Sequence, residues 1–367
     1  MAAPPRGELP KAAASGHRQG AFSGNTVQQN ASAWQRHYPS TPAQIVDNGL
    51  QARSGQQNAS MPHPRPLPPA LQAQPFTIRQ ATAAGLTRRR ARALDLASPC
   101  HGVRIPAAVE ITQLVRVRAL VLATGAVVSH LSAAALWGIP LPLCFEDQVV
   151  IHLTSRDGAR AVRRKNVCGH RLPLPEEEIF AGRYVACTSP LRTWFDLAGL
   201  LSLKDLVIAG DFLLRRRDPL STPAALDVFL AGKQGRAGYP KAMKARALIR
   251  ANTDSPKETE VRLLLVEAGL PEPAINVPMF DETGGWVQDP DMSYEEFKIA
   301  IQYDGGHHAT PAQRRSDIYR DESARALGWL VLVLTQLDLD PIVPGKEPTA
   351  ITKVRKALTS HGWRPAR

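Results

Sequence analysis

The segment KIAIQYDG, residues 298–305, sets the tightest limit on how this chain folds. Side chains alternate along a strand, so Lys298, Ala300, Gln302 and Asp304 share one face and Ile299, Ile301 and Tyr303 the other. The run reads as one strand of an α/β sheet, and it ends on a carboxylate followed by two glycines. A charge at the end of an apolar strand is costly unless something compensates it. Asp304 therefore marks the place to look for chemistry.

The flanking sequence supplies the rest of a small unit. Ser255-Pro256-Lys257-Glu258 opens a helix that places Val261, Leu264, Leu265 and Ala268 on one face and stops at Gly269. NVPMF, a turn at residues 282–285, WVQDPDM, the turn SYEEF and the 298–305 strand follow. The loop GGHHATP leads to the helix AQRRSDIYRDESARALG and the strand WLVLVLT. The order is α-β-β-β-α-β. Asp291 sits one hairpin before the strand, and Glu258 lies on the helix that packs over it. Three acids and the amide oxygen of Gln302 at one sheet edge make a hard oxygen site, the kind Mg²⁺ prefers. Each residue also has a plainer reading. Glu258 fits a capping box with Ser255. Asp289-Pro290-Asp291 fits a turn. Asp317 and Arg320 fit a helical pair, and His307 and His308 an exposed loop.

Taken together, these elements resemble the domains of unknown function related to the very-short-patch mismatch repair endonuclease, within the PD-(D/E)XK nuclease superfamily. The resemblance rests on Ser255-Pro256-Lys257-Glu258, Asp291, Gln302-Tyr303-Asp304-Gly305, His308, Asp317-Ile318-Tyr319-Arg320 and Gly328-Trp329, and it covers about eighty residues. It implies Asp291, Gln302, Asp304, Glu258 and His308 as catalytic residues. It further implies Asp291, Asp304 and Gln302 as ligands of Mg²⁺ or Mn²⁺, and Arg320 as a DNA contact. Two positions depart from the family. Gln302 stands where Glu is usual, so the site loses a charge. Asp304 stands where the superfamily lysine is usual, and Lys298 lies two alternations from Gln302, roughly 13 Å along the strand.

Charge divides the chain. Residues 73–250 carry 26 Lys/Arg against 13 Asp/Glu, whereas residues 251–367 carry 13 against 18. A basic stretch suits a polyanion. Within it, Thr77 caps a short helix and Thr87 a second one bearing Arg88, Arg89, Arg90 and Arg92, ahead of a hairpin-like segment at Val103–Ile105. That is the order of a winged helix-turn-helix, with the basic helix in the major groove. QVVIHLT and YVACT read as strands, RDGARAVRRKN as a basic loop, and Ser189-Pro190 and Thr222-Pro223 as helix starts. The segments SHLSAAALWGIP and CTSPLRTWFDLA resemble parts of AbiEi-family antitoxin-like proteins of actinobacteria. That resemblance implies a repressor or antitoxin role, with a homodimer and a toxin encoded nearby as further partners.

The expected organisation is a disordered Pro/Gln/Ala-rich tail over 1–72 with Met61 as a candidate start, a winged helix-turn-helix over 73–106, and a mixed α/β region over 107–250. An endonuclease-like α-β-β-β-α-β domain over 251–340 and a tail or helix over 341–367 complete it. The four cysteines form no CxxC pair. Cys168 with His170 is the one tight Cys/His pair, and it reads as an ordinary thiol beside a histidine. With no secretory signal and no apolar run near 20 residues, a cytoplasmic protein without a membrane partner is expected. The leading functional expectation is a Mg²⁺-dependent DNA endonuclease with a DNA-binding head. The alternative is a non-catalytic AbiEi-like repressor with a degenerate nuclease domain.

Overall fold

The computed structural model describes residues 64–145, 149–156, 159–182, 185–305, 311–341 and 345–365; side chains at 311–314 and 317 are excluded. The chain is mixed α/β, as expected. No helix among the described residues is long and apolar enough to cross a membrane.

The head begins earlier than residue 73. A 3-10 turn at Pro69–Leu71 buries Leu71 against Phe76, so the last residues of the expected tail are ordered; residues 1–63, with Met61, lie outside the described ones. Strand β1 (Phe76–Thr77), helix α1 (Ile78–Ala83), β2 (Leu96–Ala97) and β3 (Val103–Pro106) follow, and the strands pair in the order β1-β3-β2. Thr77 and Gln80 close a capping box on α1. The expected second helix is a single 3-10 turn, Arg90–Arg92. Its N-cap is Arg89, without a side-chain cap, and the Thr87 hydroxyl accepts from Arg90 N–H at 3.1 Å in the turn before it. The segment buries only Ala91, too little apolar surface to sustain a longer helix.

The middle region contains α2 (Gln113–Thr124), β4 (Val127–Val128), α3 (His130–Trp137), β5 (Ile151–Thr154) and β6 (Val167–His170). It continues with β7 (Ile179–Ala181), β8 (Ala186–Thr188), α4 (Pro190–Leu197), α5 (Leu203–Leu213), α6 (Pro223–Ala231) and α7 (Tyr239–Leu248). Its strands pair in the order β6-β5-β4-β8-β7. The largest apolar core joins this sheet to the helices around Trp194, whose indole N–H donates to Leu206 O at 2.9 Å. Ser189 and Thr222 cap α4 and α6 as their Ser-Pro and Thr-Pro pairs foretell.

The C-terminal region contains α8 (Pro256–Glu267), β9 (Ala274–Ile275), β10 (Met279–Phe280), β11 (Trp286–Gln288), β12 (Met292–Tyr294) and β13 (Ile299–Asp304). Helix α9 (Pro311–Ala326), β14 (Leu330–Thr335), α10 (Gln336–Leu339) and α11 (Thr349–Ser360) complete it. The sheet order is β14-β13-β12-β9, with β10 and β11 as a separate ribbon. Strands β13 and β14 are parallel, with α9 between them in sequence. The two faces of β13 pack on different layers. Ile299 and Ile301 join α8 and α11, through Val261, Leu265 and Val354. Ala300 joins the α9 and ribbon side, through Ala324, Met279 and Val287.

Candidate functional site

Asp291 immediately precedes β12, whose antiparallel register sets Met292 opposite Ile301. One step outward, Asp291 meets the Gln302 end of β13, and its Oδ2 accepts from Tyr303 N–H at 2.7 Å. Its own carbonyl accepts from Asn276 N–H at 3.1 Å. Burial pushes the Asp291 carboxyl up to about 7; the Tyr303 N–H opposes this, and the charges of Glu258 and Asp254 reinforce it. A carboxyl so placed gains from any cation that reaches it.

Glu258 is 4% exposed. Ser255 caps its N–H at 3.2 Å. Its Oε2 accepts from Asp254 N–H at 2.9 Å and Asn276 Nδ2 at 2.8 Å. The side chain therefore staples the loop before α8 to β9, close enough to Asp291 to raise its proton affinity. It belongs to α8, which covers the Ile299 and Ile301 face, whereas Gln302 and Asp304 share the face of Ala300. The three acids are thus not gathered on one face. Among the described residues, their oxygens do not all lie within 4.8 Å of one another.

Gln302 Nε2 reaches Gln288 Oε1 at 3.5 Å, and Gln288 Nε2 beside it is buried with no hydrogen-bond partner. An unspent donor there suits an anionic oxygen. Asp304 is exposed at the end of β13, opposite Thr335. Lys298 is not on the strand face. It precedes β13 in a left-handed conformation, φ 49, and its ammonium donates to Leu327 O at 3.2 Å. His308 lies outside the described residues, as does the Asp317 side chain.

Arg216 reaches this region from beyond α5. Its guanidinium pairs with Asp254 and, at 2.7 Å, with Asp289 Oδ2. Asp289 Oδ1 also accepts from Trp286 Nε1 at 2.7 Å. These contacts hold the Asp289 carboxyl below the usual range, helped by the charge of Arg320, which lies near enough to act on it. Sequence reasoning missed Arg216 because its partners lie far along the chain. Of the residues expected to hold Mg²⁺ or Mn²⁺, Asp291 and Gln302 are half-buried and Asp304 is exposed.

In the head, Arg88, Arg89 and Arg92 line an open hollow with Leu94, which is 92% exposed. Arg90 does not join them. It forks onto Asp95 at 2.9 and 2.8 Å, and its Nε donates to Arg65 O at 2.5 Å. These contacts brace Arg90, one of the expected DNA contacts, within the head.

Two uncharacterized proteins of Mycobacterium tuberculosis are similar to the chain, one from strain CDC 1551 / Oshkosh and one from strain ATCC 25618 / H37Rv. Each is 26% identical over 209 residues, which is 57% of this chain and 73% of theirs. No family model matches the chain, and no solved structure matches it.

Proposed function

We propose that the chain binds DNA through its head and hydrolyses phosphodiester bonds at the Asp291 end of β13. The single observation that carries this reading is the Asp291 carboxyl. It is pushed up to about 7 by burial, with neighbouring carboxylates reinforcing the shift, and it sits beside the amide of Gln302. Perturbed acids of this kind cluster at functional sites. Asp291, Gln302 and Asp304 would hold Mg²⁺ or Mn²⁺, which neutralises phosphate charge and acidifies a water. The Tyr303 N–H fixes one carboxylate oxygen of Asp291 and leaves the other to bind. Gln288 offers a donor to a phosphate oxygen. Arg88, Arg89 and Arg92 would meet backbone phosphates.

A specific observation favours the second reading, a non-catalytic repressor of antitoxin type. Arg216 already engages Asp254 and Asp289, and the Oε2 of Glu258 already accepts two N–H groups. One experiment separates the two readings. The full chain is incubated with labelled duplex DNA and Mg²⁺ or Mn²⁺, beside Asp291→Ala and an Arg88→Ala/Arg89→Ala/Arg92→Ala variant. Cleavage that Asp291→Ala reduces by 100-fold or more supports the nuclease, and cleavage unchanged by that substitution sinks the site. Salt-dependent DNA binding without cleavage supports the repressor. In either case the triple variant should flatten the slope of log affinity against log salt by up to about 3.

A further inference from the structure

The middle region brings together three histidines from three elements. His130 opens α3 directly after Ser129, in a left-handed conformation with φ 49, and is buried. His152 lies on β5 and His170 ends β6. These strands are parallel, with Thr154 opposite His170, and alternation puts His152 on the same face as Thr154. His152 Nδ1 lies 3.0 Å from His170 Nε2. The His130 ring stacks on His170 with centroids 3.6 Å apart. One ligand nitrogen from each ring lies within 4.8 Å of the other two. Nδ1 of His130 lies 3.0 Å from Ser129 Oγ and 3.9 Å from Asp196 Oδ2. That carboxylate oxygen is buried and has no hydrogen-bond partner.

We propose that His130, His152 and His170 form a binding site for a borderline transition-metal ion, Zn²⁺ foremost. Imidazole nitrogens suit Zn²⁺, Ni²⁺ or Cu²⁺ and not Mg²⁺, so this site differs in chemistry from the oxygen donors at Asp291. Tetrahedral Zn²⁺ bound 2.0–2.1 Å from its nitrogens sets neighbouring ligands about 3.3 Å apart. The 3.0 Å between His152 Nδ1 and His170 Nε2 is close to that, and binding requires the stacked His130 and His170 rings to turn toward a common point. Nδ1 of His130 faces Ser129 and Asp196, which leaves Nε2 for the metal. A carboxylate behind a ligating histidine fixes its tautomer and orientation, which gives the orphaned Asp196 oxygen a task. A left-handed backbone is strained at a residue other than glycine, and the strain falls on the residue whose ring meets His170. Cys168 shares the β6 face of His170 by alternation, yet it is not in the cluster. The fourth position is therefore left to water or an exogenous ligand.

The test uses the full chain, purified without metal-affinity chromatography and stripped with a chelator. Zn²⁺ binding is followed by calorimetry and elemental analysis, and Co²⁺ by its ligand-field bands. Parent, His152→Gln, His170→Gln and Asp291→Ala are compared, with circular dichroism checking the fold. The expected result is one equivalent of Zn²⁺ per chain, unchanged in Asp291→Ala and weakened 100-fold or more in folded His170→Gln. His170 is the least buried of the three, so its glutamine variant tests the site even if His152→Gln fails to fold. Parental Zn²⁺ affinity in folded His170→Gln overturns the proposal. So does the absence of stoichiometric Zn²⁺ in the parent, or its loss in Asp291→Ala.

Discussion

At Asp291, local placement sets protonation, and protonation sets how stability depends on pH. The carboxyl titrates near 7 in the folded chain against an ordinary 3.8. Between those values the folded chain holds a proton that the unfolded chain has lost. The stabilisation from this group is full below about pH 4, declines as pH rises, and is gone once pH has passed through 7. Asparagine keeps the shape and cannot ionise. In the presence of a chelator, Asp291→Asn should therefore gain melting temperature relative to the parent between pH 5 and pH 8. A gap between the two that stays constant across that range would show that the carboxyl is not shifted. The residue type at 291 was legible from the sequence, and so was its place one hairpin before β13. Its electrostatics were not, because they arise from burial, the Tyr303 N–H and the charges of Glu258, Asp254 and Arg216, which a linear reading does not set beside it. Arg90 teaches the same lesson. In sequence it is one arginine among four, and only the fold sets it against Asp95 and Arg65 O.

Elements were legible where their signals are local. Thr77-x-x-Gln80, Ser189-Pro190, Thr222-Pro223 and Ser255-Pro256 each open the helix they foretell. Strand β13 lies where alternation put it, shortened by Lys298. Pairings between distant elements were not legible. His152 and His170 are isolated in sequence and meet only because β5 and β6 run parallel in one register. Helices α5 and α8 are joined in the same hidden way. Asp211 on α5 is fully buried and accepts from Arg262 Nη2 and Thr259 Oγ1, each at 2.8 Å. Arg262 is 1% exposed and also reaches Glu272 Oε1 at 3.0 Å. Removing Asp211 leaves the buried guanidinium with only the partly exposed Glu272 as a partner. Asp211→Ala should therefore cost about 3–5 kcal/mol in urea unfolding. A loss below about 1 kcal/mol, the level of an exposed pair, would mean that water reaches Arg262 in solution.

That buried pair bears on how the whole molecule divides. Composition and charge place a boundary near residue 250, where a basic stretch gives way to an acidic one. The packing does not respect that boundary. Arg262 and Leu263, on the first helix beyond it, are buried against the middle region, Leu263 within its apolar core. Arg216 crosses the same line to Asp254 and Asp289, and Arg216 N–H donates to Thr253 O at 3.2 Å. The charge contrast therefore does not mark a division of the interior, because the basic and acidic stretches share part of one core. A fragment of residues 251–367 would lose Asp211, the buried partner of Arg262, and expose Leu263, while a fragment of residues 107–367 keeps both contacts. With about 3–5 kcal/mol at stake in the buried pair alone, the shorter fragment should melt roughly 10 °C or more below the longer one, or show no cooperative transition in calorimetry. Equal, cooperative melting of the two would mean that the C-terminal unit folds without α5, and that the Asp211–Arg262 contact joins two independent bodies.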